Sequence, residues 1–167
     1  MAQTLETQIG ALLREKGLKI ATAESFTGGL IGYRITSIPG SSDYYIGGVN
    51  AYAYEAKVAL LGVSWDTLKK YGAVSREVVL EMAVGARERL AADIAISVSG
   101  IAGPGGGLPN KPVGTAWVGL AAHNGKWARR FHFPGDRQEV RDAGAEAALQ
   151  MLFEYLQGKH DLDNSKI

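Results

Sequence analysis

Four stretches of the chain place hydroxyl groups, isolated charges and clustered glycine side by side. Glu24-Ser25-Phe26-Thr27-Gly28-Gly29 sets a serine and a threonine beside two glycines. A helix starting there would offer unpaired N–H groups and a positive dipole end to a phosphate or a developing oxyanion. The same hydroxyls would also serve as plain N-caps, and both readings stand. A nucleophile elbow is excluded, because Ala23 and Thr27 occupy the places where that turn needs glycine. Gly47-Gly48-Val49-Asn50-Ala51-Tyr52-Ala53-Tyr54-Glu55-Ala56-Lys57 puts a lysine just past an expected strand end. That lysine is either a base whose pKa burial lowers or a solvated helix lysine.

The third stretch runs from Gly100 to Gly107 and on through Lys111-Pro112-Val113-Gly114-Thr115. It lacks both the Gly-Lys-[Ser/Thr] of a P-loop and a G-x-G-x-x-G opening a helix. It follows an apolar segment directly, which is where open α/β sheets hold ligands, although a surface loop is the plainer reading. The fourth is Gly135-Asp136-Arg137 with Arg141. Arginines at i and i+4 share a helix face and could clamp an anion, or pair with nearby acids such as Asp142. His123, His132 and His160 are scattered and give no metal-ligand spacing and no histidine-based triad.

The elements that must position these residues follow from periodicity. Leu5, Ile9, Leu12 and Leu13 predict a helix over about 4–16 that stops at Gly17. Leu18 to Ala23 reads as a short buried strand, followed by a small-residue turn and a helix through Leu30, Ile31 and Ile35. Tyr44 to Tyr52 reads as a strand with a bend or bulge at Gly47-Gly48. Two short helices follow at about 54–60 and 65–71, the second capped by Ser64. Ser75 caps a longer helix to about Ala91 with Val78, Val79, Met82, Ala86 and Leu90 inward. Asp93 to Ser99 is apolar enough for a strand covered on both faces. Val113–Ala122 and Lys126–Phe133 flank Asn124-Gly125, a hairpin signal. Asp136 and Glu139 make a capping box for a last helix whose apolar face is Val140, Ala143, Ala147, Met151 and Tyr155. Helices alternate with strands and one strand pair is a hairpin. The expected fold class is therefore α/β: a three-layer α/β/α single domain with a mixed sheet over residues 1–158. Residues 159–167 read as a polar, disordered tail.

Composition narrows the function. The chain has 167 residues, 46% of them hydrophobic and 21% charged, a length that suits one domain. Lys+Arg 18 against Asp+Glu 17 leaves a net charge of +1, which removes the usual electrostatic case for nonspecific nucleic-acid binding. Without cysteine there is no disulfide framework, no thiol nucleophile and no thiolate-ligated metal. Glycine, at 22 residues, is about 13% of the chain against a usual ~7%, which implies unusually close backbone approaches. No run reaches the roughly 20 apolar residues of a membrane span. The first residues lack the pattern of a signal peptide, so the cytoplasm is the expected location.

Taken in order, the motifs are specific. Thr22-Ala23-Glu24-Ser25-x-Thr27-Gly28-Gly29, Pro39-Gly40-Ser41-Ser42, Gly47-Gly48-x-x-x-Tyr52-x-x-Glu55-Ala56-Lys57, Gly100-Ile101-Ala102-Gly103-Pro104-x-Gly106-Gly107, Lys111-Pro112-Val113-Gly114-Thr115 and Gly135-Asp136-Arg137-x-x-Val140-Arg141 occur together. Over about residues 5–157 the sequence resembles the CinA C-terminal domain family, the nicotinamide-nucleotide amidases, in a stand-alone form. The resemblance implies hydrolysis of the carboxamide of nicotinamide mononucleotide (NMN) to nicotinate mononucleotide and ammonia, without metal or cofactor. Ser25 would be the nucleophile and Lys57 its base, with Tyr52 orienting the lysine or binding the amide. The substrate would be held by Ser42, Thr27, Gly28, Gly29, Ser99, Gly100, Gly103, Gly106, Thr115 and Arg141, the glycine loop and Arg141 taking phosphate and ribose. A homodimer is implied, with no nucleic-acid or membrane partner.

This chain departs from the family pattern at Phe26, where cysteine is frequent, at Ser99, where threonine is common, and at Ala53 and Tyr54, where a hydroxyl residue and asparagine are usual. The last two motivate a competing expectation, a nucleotide-binding paralogue that is inactive or has another substrate. A DNA-transaction partner is a third, and the near-zero net charge disfavours it.

Overall fold

The structure, a computed structural model, describes residues 2–159 and 161–164. Five strands form one open sheet: β1 (Ile20–Glu24), β2 (Tyr45–Asn50), β3 (Ile94–Gly100), β4 (Thr115–Ala122) and β5 (Gly125–His132), in the order β2-β1-β3-β4-β5. β1 lies parallel between β2 and β3, while β4 and β5 run antiparallel to their neighbours. The mixed α/β sheet expected from the sequence is therefore present.

Among the described residues the six α-helices are α1 (Leu5–Lys16), α2 (Leu30–Thr36), α3 (Tyr54–Leu61), α4 (Trp65–Tyr71), α5 (Arg76–Arg89) and α6 (Arg137–Leu156), with a 3-10 turn at Ser41–Asp43 before β2. Four of them start on a side-chain cap. Thr4, Ser64, Ser75 and Asp136 accept bonds from Thr7, Asp66, Val78 and Glu139 amides, and Asp136 with Glu139 completes a capping box. α1 and α3 end on Gly17 and Gly62 in the left-handed conformation.

Strand alternation sorts the core into two layers. Ile20, Ile94, Ile96 and Val98 pack with α1, α2 and α6, whereas Ala21, Ala23 and Ala95 pack with α3, α4 and α5. The apolar strands are covered on both faces, as a continuous apolar run requires. β1 leads to β2 on one side. β2 then leads through α3, α4 and α5 to β3 on the other side, so the C-terminal ends of β1 and β3 form a topological switch point. The start of β4 and the end of β5 lie at this same edge, because Gly100 pairs with Ala116 and Thr115 with His132.

Three expectations shift. The bulge falls at Ile46, since Ile20 pairs with Tyr45 and Ala21 with Gly47. Gly48 instead makes room, because a Cβ there would collide with the Thr22 hydroxyl. The buried face of α6 is Val140, Gly144, Ala145, Ala148, Leu149, Met151, Leu152 and Leu156, with Ala143, Ala147 and Tyr155 at its margin. Gly144 lies beneath the Phe26 ring, which leaves no space for a Cβ.

The tail differs most. Leu162 is fully buried in the α1/α2/α6 layer, its carbonyl accepts from Arg129 Nε at 2.5 Å, and Asn164 pairs with both backbone groups of Arg130. Composition hid this, because one leucine and one asparagine are enough to dock a polar segment against a strand edge. His160 and residues 165–167 lie outside the described residues. Among the described residues, no helix is long and apolar enough to cross a membrane and no group of acids or histidines could hold a metal ion.

Candidate active site

β1 delivers Ser25 to the switch point, and α3, which follows β2, delivers Lys57 to the same place. Lys57 is 1% exposed. Its Nζ lies 3.0 Å from Ser25 Oγ, 2.9 Å from the Ala51 carbonyl and 2.8 Å from the Tyr52 carbonyl. No carboxylate is among these partners. Burial alone pushes the lysine down from its ordinary value of 10.5 to about 8. Three acceptors meet the three N–H groups of the charged amine, and loss of one proton would leave the two carbonyl bonds in place and a lone pair facing the serine hydroxyl. That geometry activates a serine where histidine is absent.

Ser25, Tyr52, Lys57, Ser99 and Gly100 line one cavity of about 200 Å³. The Ser99 hydroxyl is buried there without a protein partner, so it is free to meet a substrate. Gly100 is fixed by packing, since a Cβ would meet the Phe26 ring and Ala116. Phe26 is thus wedged between Gly100 and Gly144 and forms a wall of the cavity.

The remaining candidates stand elsewhere. Thr27 is buried and its hydroxyl donates to Glu24 Oε1 at 2.7 Å. The Glu24 carboxylate also accepts the Ile31 and Gly32 amides at 2.9 and 3.0 Å. The first turn of α2 is therefore satisfied within the protein and offers those amides to no oxyanion, contrary to the expectation. Gly28 and Gly29 adopt φ +63° and +103° to turn the chain. Arg141 donates to the Phe26 and Thr27 carbonyls at 3.0 and 3.1 Å, so it braces this turn rather than reaching an anion. Ser42 is exposed and precedes β2, at the opposite end of the sheet from Ser25. Thr115 donates to the Pro112 carbonyl and, like Gly106, lies outside the cavity.

One functional candidate that the sequence reading left as half of an arginine pair is Arg137. It lines the cavity and donates to the Gly103 carbonyl at 2.7 Å and to the Tyr52 hydroxyl at 3.1 Å. It ties the glycine loop to the loop before α3. Its position at the first residue of α6, directly after Gly135-Asp136, was the available signal. Ala73 and Val74 also line the cavity, and nothing in their types announces it. Of the departures, Ala53 and Tyr54 lie outside the cavity; Tyr54 faces Trp65 with ring centroids 6.4 Å apart.

The fold and the site together define an open α/β sheet with a buried serine–lysine pair at its switch point. The chain belongs to the CinA family: the CinA C-terminal domain matches residues 2–156. A relative from Halothermothrix orenii is 52% identical over 154 residues, covering 92% of this chain and 37% of that protein. A CinA-like protein of Salinibacter ruber is 50% identical over 147 residues, 88% of this chain and 36% of its own. The chain thus spans little more than a third of these curated relatives. Crystal structures agree in fold over nearly their whole length. Competence damage-inducible protein A of Klebsiella pneumoniae has a TM-score of 0.90 at 35% identity, with 93% of this chain and 97% of that one covered. The competence/damage inducible protein of Agrobacterium tumefaciens has a TM-score of 0.86 at 39% identity, with 94% and 99% covered.

Proposed function

We propose that this domain hydrolyses a carboxamide, with nicotinamide mononucleotide as the substrate, through Ser25 as nucleophile and Lys57 as general base. The observation that carries this reading is the 3.0 Å approach of a buried lysine without a counter-ion to a serine hydroxyl. Lys57 Nζ takes the hydroxyl proton as Ser25 Oγ bonds to the amide carbon. The C–N bond then breaks, and the proton held by Lys57 goes to the leaving nitrogen, which departs as ammonia. Water attacks the ester in turn, giving a proton to Lys57. The ester C–O bond breaks, Ser25 regains its proton from Lys57, and the acid leaves, giving the second proton of the water to solvent. The buried Ser99 hydroxyl is the donor proposed for the developing oxyanion. Tyr52 contributes its carbonyl oxygen, which holds the amine in line.

Ammonia release from NMN by the purified protein tests this. Turnover should fall below detection in Ser25→Ala, and kcat/KM should rise with pH to a plateau above about 8 as Lys57 becomes neutral. Undiminished turnover in Ser25→Ala overturns the mechanism. A homodimer, as the family resemblance implies, is proposed with it.

A further inference from the structure

The Ser25 cavity holds about 200 Å³, below the ~300 Å³ at which sites for whole small molecules begin. It suits an amide-bearing ring and leaves the rest of a nucleotide unaccommodated. A second cavity of about 420 Å³ abuts it, since Val74 lines both. Sheet register relates the two. Ser99 pairs with Trp117 and Trp117 with Arg130, so these side chains stand in one row on the α5 face of β3, β4 and β5. Ser99 lines the first cavity, and Trp117 and Arg130 line the second. With strands ~4.8 Å apart, Arg130 is about 10 Å across the sheet from Ser99, on the side where the second cavity continues the first.

We propose that this second cavity is the subsite for the substrate's phosphate group, with Lys111 and Arg130 as its cationic ligands and Trp117 as the apolar floor beneath the ribose. The proposal rests on the amidase reading above. Lys70 and Arg76 add positive charge to the same lining, where Glu77 is the acid facing them, and Arg76 is itself paired with Asp163. Lys111 reaches over from its loop to the Tyr71 carbonyl, while Arg130 donates to the Asn110 carbonyl at 2.7 Å. Both are held at the rim by neutral carbonyls, leaving their charge for an incoming anion. Burial and then the charge of Arg130 press the Lys111 pKa down, with Glu77 opposing, so the two cations feel one another. A dianionic phosphate between them relieves that repulsion and accepts charge-assisted bonds from both. Arg141, expected to take the phosphate, is occupied by the Phe26 and Thr27 carbonyls instead.

The test compares kcat/KM for NMN and for its dephosphorylated riboside in the wild type, Lys111→Gln, Arg130→Gln, the double variant and Lys111→Arg. Loss of one charged contact should lower kcat/KM for the mononucleotide ~10- to 100-fold, through KM, while leaving the riboside unchanged. Lys111→Arg should restore most of the loss. Equal losses on both substrates mean a merely structural role, and unchanged values on both mean no contact; either overturns the subsite while the amidase reading stands. If the wild type releases ammonia from neither compound, the amidase reading falls. Calorimetry with the mononucleotide then decides the subsite alone: binding weakened at least tenfold in the double variant supports it, and absent or unchanged binding overturns it.

Discussion

Arg34 and Lys57 are both drawn out of water, and they differ in what meets them. Arg34 donates to Glu6 at 2.5 Å and to Glu146 at 2.7 Å. Burial lowers its pKa, but the bonds to Glu6 and Glu146 outweigh that and raise it. Lys57 has no acid beside it, only two carbonyls and Ser25, and burial lowers its pKa to about 8. Arg34 joins α2 to α1 and α6, where a compensated charge adds to packing. Lys57 carries an uncompensated charge that weakens the native state at neutral pH, and the same imbalance makes a neutral amine accessible. An uncompensated buried cation next to a nucleophile marks chemistry, and a compensated one marks architecture.

Substitutions at these positions sharpen the contrast. Lys57→Met should reduce ammonia release at least ~1,000-fold, while Arg34→Met leaves it within about tenfold; comparable losses in both would erase the distinction. The next effect is on stability against pH. Below about pH 8 Lys57 is charged in both folded and unfolded chains, and the native state bears the whole cost of burying it. Between about 8 and 10.5 the folded amine is neutral while the unfolded one still holds its proton, so stability rises with pH across that window. Denaturant titrations at several pH values should show the wild type gaining up to about 3 kcal/mol relative to Lys57→Met between pH 7 and 10.5. A flat difference would mean that the lysine keeps its ordinary pKa. Arg34→Met should cost about 1–2 kcal/mol at pH 7, from leaving two carboxylates without their partner. Smallest is Asp43→Asn, whose partner Arg14 is 3.2 Å away across an exposed pair; its unfolding free energy should change by less than ~0.5 kcal/mol.

Much of the scaffold was legible in the sequence because its signals are local. The Asn124-Gly125 hairpin, the caps at Ser64, Ser75 and Asp136, and the glycine stop after α1 depend only on neighbouring residues, and each element appears within a few residues of its expected place. The expected face of α6 holds at Val140 and Met151, with Ala147 and Tyr155 packed at its edge, but the place of Gly144 beneath Phe26 depends on a ring distant in sequence. The tail was misjudged because a single leucine found a slot in a core built by other elements.

The candidate site divides in the same way. By itself the sequence determined which chemistries were available: a chain without cysteine, without paired histidines and with a serine and a lysine at two strand ends. The ordered motifs also determined its family. Only the tertiary structure decided that Lys57 is dry and has no acid beside it, that the Ile31 and Gly32 amides are spent on Glu24, that Arg141 braces a turn and that Ser42 stands at the far end of the sheet. The physical reason is that residue types and spacings specify what a group can do, whereas its pKa and its free bonding capacity depend on which atoms, from which strands and helices, the fold packs against it.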